Sequence, residues 1–290
     1  MHHRSRKWWG YLLIAPQMIG LIAFSLLPFI FVFGLSFTEW NGFGTREFVG
    51  FQNYIDQFTS PIFRTALLNT LIFSLIYIPG SVVAGLFVAL ALHKIKGRNF
   101  YRFFYFAPVV TSSVAVGVIW MFLLDSNVGF VNQILAVFGI NGPDWLTDSA
   151  WVLVSIAILS IWWQLGFNMI IFLAGLQSIP ATFYEAAEID GASPFRKFYN
   201  ITLPLLTPTI FFVTVMAVIS SFQVFDQAFV ITEGGPGKAS YTVVYHIYER
   251  AFEYFEFGTS SAATMLLFII ILTFTLIQLH YSRKWVHYEN

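Results

Sequence analysis

The chain has 290 residues, 57% of them hydrophobic and 10% charged, with 34 Phe, 13 Tyr, 9 Trp and a formal net charge of zero. Soluble domains run near about 45–50% apolar and about 25% charged; this much apolar area exceeds what one soluble core of the size can hide, so the natural solvent is a lipid bilayer. Neutrality excludes the basic face of a nucleic-acid binder, hydrophobicity excludes disorder, and zero Cys excludes a disulfide scaffold, thiolate metal sites and Cys nucleophiles.

A membrane-crossing helix needs roughly 20 mostly apolar residues. Six stretches qualify: Tyr11–Phe33, Ala66–Leu92, Phe103–Leu124, Trp151–Leu173, Leu205–Ile231 and Thr259–His280. Pro16, Gly20, Pro28, Pro79-Gly80 and Pro108 fall inside them. Spans tolerate such breakers where neighbouring helices or water satisfy the freed backbone groups. The first stretch is too long for a signal-peptide core, and no small-x-small cleavage site follows it, so it is expected to be retained. Basic residues set the orientation. With the N-terminus cytoplasmic, the inner segments hold Arg4, Arg6, Lys7, Lys94, Lys96, Arg98, Arg102, Arg196, Lys197, Arg283 and Lys284, leaving Arg46, Arg64, Lys238 and Arg250 outside. The expected fold is an all-α membrane protein, one transmembrane domain over 1–290, with six spans and both termini inside.

Three segments face outward in that topology. Glu39 to Arg64 carries aromatics suited to a membrane interface. Asp125 to Asp148 has the turn signal Asn141-Gly142-Pro143, and Thr232 to Ser240 holds Glu233-Gly234-Gly235-Pro236-Gly237. After that turn, Val244, Ile247, Tyr248, Ala251 and Phe255 recur at helical spacing, with His246, Glu249, Arg250, Glu253 and Glu256 opposite. The pattern predicts an amphipathic helix on the outer surface with a solvated polar face; nothing nearby turns its glutamates into a metal site.

The longest inner loop, 177–204, is the most structured one. Thr182 and Glu185 form a capping-box pattern that predicts a helix start. Asp190-Gly191 is a left-handed stop, and Ser193-Pro194 a new N-cap and first position. The loop therefore reads as two short helices around a tight turn. Ala186, Ala187 and Gly191 offer little bulk, and Phe183 and Tyr184 are candidate anchors. On the residues alone, a docking element and a plain connector capping the bundle fit equally.

The chain carries no GxxxxGK[ST], HExxH or GxSxG pattern, and His2, His3, His93, His246, His280 and His287 are scattered at ends and interfaces. No catalytic constellation, metal site or nucleotide site of its own is expected. The run Glu185-Ala186-Ala187-Glu188-Ile189-Asp190-Gly191-Ala192, followed by Ile201-Thr202-Leu203-Pro204, resembles the EAA loop of ABC importer permeases, whose downstream spacing it matches. Ala174-Gly175-Leu176-Gln177-Ser178-Ile179-Pro180, the turn Thr232-Glu233-Gly234-Gly235-Pro236, and Tyr245-His246-Ile247-Tyr248 with Ala251-Phe252 resemble the carbohydrate branch related to maltose and glycerol-phosphate importers.

That resemblance implies a permease subunit of an ATP-driven sugar or oligosaccharide importer in the inner or plasma membrane of a prokaryote. It implies a second six-span permease, usually related but distinct, two ATPase subunits that hold ATP and Mg, and an extracytoplasmic solute-binding protein, with lipid around and no nucleic acid. Carried over, Glu185, Ala186, Ala187, Asp190 and Gly191 would contact the ATPase, and Gly234, Gly235 and Pro236 would face the binding protein. No cofactor is implied in this chain, and it is not itself an enzyme.

Polar groups inside spans are costly and point to function. Asp226 is the one acidic residue inside an expected span, about five residues or roughly 8 Å from the outer end of the fifth. Gln223, Gln227 and Phe225 lie beside it, with Phe222 interleaved. Amides, a carboxylate and aromatic faces suit a sugar; a structural partner for a neighbouring helix or for the second permease is the alternative for Asp226. Gln164 and Asn168, with Trp162 and Trp163, are a second candidate lining, the Trp pair also fitting packing or an interfacial belt. Asn69 and Thr111-Ser112-Ser113 fit helix–helix hydrogen bonds equally. Within the transporter class the runner-up solute is glycerol phosphate or an amino acid. An ion-coupled secondary carrier is the competing class, since one acidic residue in an outer half-span is the only sign of coupling-ion ligands; a membrane-embedded enzyme would need an acid, base or metal constellation that is missing.

Overall fold

A computed structural model describes residues 2–93 and 95–286, the side chains of 2–10, 98 and 99 excepted. Lys94 and His287 lie outside the described residues, and the side chains of His2, His3, Arg4, Arg6, Lys7 and Arg98 do too. Among the described residues, four helices are long and apolar enough to cross a membrane: Tyr11–Leu35, Pro61–His93, Val152–Ser178 and Phe257–Trp285. Two bent pairs, Phe100–Val110 with Ser113–Leu123 at 99° and Pro194–Leu205 with Thr207–Phe222 at 63°, raise the number to six if each pair is one span. The expected third and fifth spans are thus not straight rods.

One packed unit holds the first 60 residues and Ile247–Phe268. Its first helix runs as α1 (His2–Leu21), a π turn over Ile22–Leu26, and α2 (Leu27–Leu35). The wider turn precedes Pro28, which lacks the amide that a regular helix would use there. Between Tyr11 and Leu35 most side chains are exposed, Leu13 and Phe24 among them, as suits a helix that faces hydrocarbon. A two-residue antiparallel pair, β1 (Thr38–Glu39) with β2 (Glu47–Phe48), and α3 (Gln52–Thr59) follow. Buried Asn53 ties them together: its Nδ2 donates to the Ser36 carbonyl at 3.0 Å and the Thr38 carbonyl at 2.9 Å.

The other unit comprises Pro61–His246 and Ile269–Asn290. Its axis is α4 (Pro61–His93), which continues through Pro79, packed along α8 (Val152–Ser178). Small residues set the approach: Gly85 lies against Asn168 and Phe172. Between these helices in sequence come α5 (Arg98–Phe106), a 3-10 turn over Ala107–Val110, α6 (Ser113–Leu123) and α7 (Phe130–Val137). The break between α5 and α6 falls at Thr111 and Ser112, both extended. The Pro108 carbonyl accepts both the Thr111 amide at 3.1 Å and the Trp163 indole N–H at 2.7 Å, which ties the break to α8. Gly166 of α8 rests on the backbone of Tyr105 and Phe106 so closely that any Cβ there would strike the Tyr105 carbonyl.

Beyond α8 come α9 (Ala181–Ile189), α10 (Pro194–Lys197), a π turn over Phe198–Thr202, α11 (Leu203–Leu205) and α12 (Thr207–Phe222). Pro204 and Pro208 flank the bend at Leu206, and the Thr207 hydroxyl donates to the Pro204 carbonyl at 2.7 Å. The helix then stops. The reading of one span from Leu205 to Ile231 is corrected: the chain leaves helical geometry at 223–225, and a new short helix, α13 (Asp226–Thr232), begins. The outer-surface helix is likewise shorter than expected, α14 (Val243–Tyr248) giving way to a π turn over Glu249–Glu253 before α15 (Phe257–Trp285). His246, expected on a solvated face, is 1% exposed: the Phe63 and Tyr241 rings cover it, and its Nδ1 lies 3.2 Å from the Tyr241 hydroxyl.

Candidate functional site

The break at 223–225 opens a cavity of about 290 Å³ inside the second unit. It is lined by Phe73 and Tyr77 of α4, Ser160, Trp163 and Gln164 of α8, Ser220 of α12, and Gln223, Val224, Phe225, Asp226 and Gln227. Five of the six residues expected on the solute path therefore meet there: Asp226, Gln223, Gln227, Phe225 and Gln164. Asn168 does not. It is 4% exposed, faces α4, and its Nδ2 donates to the Ser81 carbonyl at 3.4 Å. It lies one turn further along α8 than Gln164, where Gly85 of α4 leaves room for it to pack.

Local sequence explains the geometry. Gln223 ends α12 with its amide bonded to the Ser220 carbonyl at 3.3 Å, and the Val224 carbonyl accepts the Thr242 hydroxyl at 2.9 Å. With both groups satisfied outside a helix, the backbone can stay irregular beside a cavity. Asp226 then opens α13; its Oδ2 accepts the Ser113 hydroxyl of α6 at 2.6 Å. Gln164, Gln223 and Gln227 give no side-chain hydrogen bond to described residues, so their amides have the cavity as their outlet. The Phe73 and Tyr77 rings stack on each other at 5.4 Å and 13°. Phe73, Tyr77, Ser160 and Ser220 were not singled out from sequence. A period of four along α4 relates the first two, but nothing in so apolar a span marks which face looks into a cavity.

The second element is the hairpin of α9 and α10. Gly191 takes φ +68°, the left-handed stop expected, and Ser193 Oγ accepts the Arg196 amide at 3.4 Å, the expected N-cap. The start differs: Pro180, not Thr182, precedes the first turn, and no side chain caps it. Glu185, Ala186, Asp190 and Gly191 are exposed and Ala187 is half-buried. The anchor pair splits. Phe183 is exposed, whereas Tyr184 turns inward onto the core of Leu176, Ile179 and Leu206, its hydroxyl 2.9 Å from the Thr202 hydroxyl. Two apolar residues missed from sequence stand out instead: Ile189 is 87% and Phe195 76% exposed. Lys197 Nζ reaches Glu188 Oε1 at 2.8 Å and links the two short helices.

The turn at 232–240 is the third element. Gly234 is buried beneath the Tyr241 and Tyr245 rings, so it is not free to meet a partner; Gly235 and Pro236 are half-buried, and Glu233 and Gly237 are exposed. The Ser240 hydroxyl bonds the Gly235 carbonyl at 2.7 Å and the Asn69 amide holds the Lys238 and Tyr241 carbonyls at 2.8 and 3.0 Å. Pro236, Gly237 and Ala239 share an open recess with Asp144, Thr147, Asp148 and Ser149. In the loop before them, Asp125 accepts the Val128 and Asn127 amides, and these hold its carboxyl below the usual range.

Residues 81–287 match the family described as binding-protein-dependent transport system inner membrane component. The probable ABC transporter permease protein YesP of Bacillus subtilis (strain 168) is 37% identical, over 97% of this chain and 92% of that protein. The sn-glycerol-3-phosphate transport system permease protein UgpA of Shigella flexneri is 33% identical, over 99% and 97%. The crystal structure of a bacterial ABC transporter involved in the import of the acidic polysaccharide alginate superposes with a TM-score of 0.83 at 25% identity, over 97% of this chain and 96% of that one.

Proposed function

The chain belongs to the family of inner membrane components of binding-protein-dependent transport systems, and from that premise we propose that it is the permease of an ATP-driven importer whose solute, a sugar or oligosaccharide, crosses beside the 223–227 break. One observation carries the reading: a single packed unit holds both a polar, aromatic-walled cavity and an exposed hairpin, joined by the same two helices. Gln164 lies 14 residues, roughly 21 Å of helix, from Ser178, where the hairpin begins. α12 returns from the hairpin to Ser220 and Gln223. A push on the hairpin is therefore a push on two walls of the cavity.

The hairpin takes the role of the coupling element, with Glu185, Ala186, Ala187, Asp190 and Gly191 against an ATPase subunit that supplies ATP and Mg, and Ile189 and Phe195 as its apolar anchors. Tyr184 and Thr202 clamp it to the helical core, so that displacement is transmitted rather than absorbed. The resulting change is a rigid-body rocking between outward- and inward-open states. A second six-span permease supplies the other half of the path. Six spans with both termini inside fit the bent pairs counted as single spans, and fit the shared recess of the two loops assigned to the outside. That recess, with Pro236 and Gly237, is where a solute-binding protein would deliver. A solute other than a sugar is the alternative cargo. A carrier driven by ions alone would need a second intramembrane ligand for its ion near Asp226.

The chain has no Cys, so Ala187→Cys introduces a single thiol. Crosslinking in the assembled transporter should join it to an ATPase subunit. A thiol that reacts freely with a membrane-impermeant reagent in the intact complex and joins nothing would refute the coupling role. Thiols at Asn41 and Ser193 should label from opposite sides of the membrane.

A further inference from the structure

We propose that this cavity takes an uncharged polyhydroxyl solute and rejects anionic ones, with Asp226 as the discriminating group. The inference rests on reading the cavity as the solute path and narrows the range of solutes that pass. Among the described residues that line the cavity there is one carboxylate and no Lys, Arg or His. Ser113 is the one described hydrogen-bond partner of Asp226, at Oδ2, which leaves Oδ1 as a bare acceptor on an exposed side chain.

The remaining groups sort by what they can exchange. The Trp163 N–H is already committed to the Pro108 carbonyl and the Ser160 hydroxyl to the Ile156 carbonyl. The amides of Gln164, Gln223 and Gln227 are uncommitted, and each offers two donors and an acceptor. A hydroxyl both gives and accepts one hydrogen bond, so it satisfies an amide and a carboxylate alike. A carboxylate or phosphate oxygen can only accept, and beside Asp226 it meets a like charge with no cation to offset it. The walls act in the same direction. The rings of Phe73, Tyr77, Trp163 and Phe225 in the lining supply apolar surface on which the C–H face of a sugar ring packs better than a hydrated anion does. In the half of the path that this chain builds, the lone carboxylate and the apolar rings both disfavour the phosphorylated and uronate members of the sugar range.

The test uses the assembled, detergent-purified transporter without its solute-binding protein, so that selection by that protein does not intervene. Trp163 fluorescence is titrated with maltotriose, cellotriose and xylotriose, with the same sugars oxidised at C1 to their acids, and with a glucosamine trimer; Trp163→Phe serves as the blank. At least one neutral sugar should bind about 10-fold or more tighter than its acid, and Asp226→Asn should reduce that ratio towards one by strengthening the acid. An acid that binds as tightly as its parent in the unaltered protein, a ratio untouched by Asp226→Asn, or a preference for the cationic trimer would overturn the inference while leaving the cavity as the path. No response to any of the sugars, in a transporter that still takes up its solute, would remove the path reading and this inference together.

Discussion

The break at 223–227 and the hairpin at 181–197 are both interruptions of helix, and they are built in opposite ways. At 223–227 the irregular backbone is enclosed by α4, α6 and α8, its Val224 carbonyl is held by Thr242, and the side chains it frees are amides and a carboxylate. At 181–197 the turn is open, its stop residue Gly191 has nothing near it, and the freed groups are alanines, Ile189 and Phe195. Polar groups within a bundle cost free energy unless something bonds them, and bare apolar groups outside one cost free energy unless something covers them. The first arrangement awaits a hydrogen-bonding solute; the second awaits a protein.

The sharpest way to break this contrast is at the open turn. Gly191→Asp or Ala187→Asp should abolish uptake, a loss of about 100-fold or more, with the chain still present in membranes by immunoblot. Because Gly191 has φ +68°, Gly191→Asn separates strain from bulk: Asn tolerates that conformation, so uptake lost in both variants at normal protein level assigns the defect to blocked docking. At the enclosed break, Asp226→Ala removes a charge-assisted acceptor worth roughly 1.5–3 kcal/mol, about 10- to 100-fold in solute affinity. Co-purification of the ATPase should be unchanged; unaltered solute dependence would return Asp226 to a structural role with Ser113. Gly166→Ala should act on neither function directly. Its methyl would strike the backbone of Tyr105, and the overpacking should lower stability by about 1–3 kcal/mol, read as a lower melting temperature in detergent.

Tyr184→Phe sharpens the link between the regions. It deletes one hydrogen bond to Thr202, about 0.5–1.5 kcal/mol, and should lower uptake per ATP hydrolysed while ATPase binding stays normal. The smallest effect lies at Asp125. Its carboxyl sits below the unfolded value, so its support of the 125–129 turn is full above that value and fades as pH falls through the depressed one. Amide exchange at Asn127 and Val128 should accelerate relative to the chain average below about pH 4, and Asp125→Ala should show the faster exchange at neutral pH.

Much of this was legible from residue order. Long apolar runs announce spans because composition alone decides them, and Asp190-Gly191 with Ser193-Pro194 announces the hairpin because only those backbones suit those residues. The break after Phe222 was hidden: Gln223-Val224-Phe225 contains neither Pro nor Gly, and its carbonyl is rescued by Thr242, 18 residues away. His246 was assigned to the wet side by a helical period that the π turn at Glu249–Glu253 interrupts, and its true cover, Phe63, comes from α4. Asn168 reads as path lining on chemistry alone, yet Gly85 makes room for it against α4. In each case the deciding partner is distant in sequence and ordinary in type.

One such partner has a further consequence. Asn69 and Thr70 of α4 hold Lys238, Tyr241 and Val243. Lys238 follows Asn69 by 169 residues. At ribosomal speeds that is on the order of 10–30 s, during which α4 has already entered the bilayer with the Asn69 amide unmatched. The final third of the polypeptide therefore closes the structure like a clasp, and a nascent chain halted before Lys238 would sit in the membrane unfastened and open to quality-control proteases.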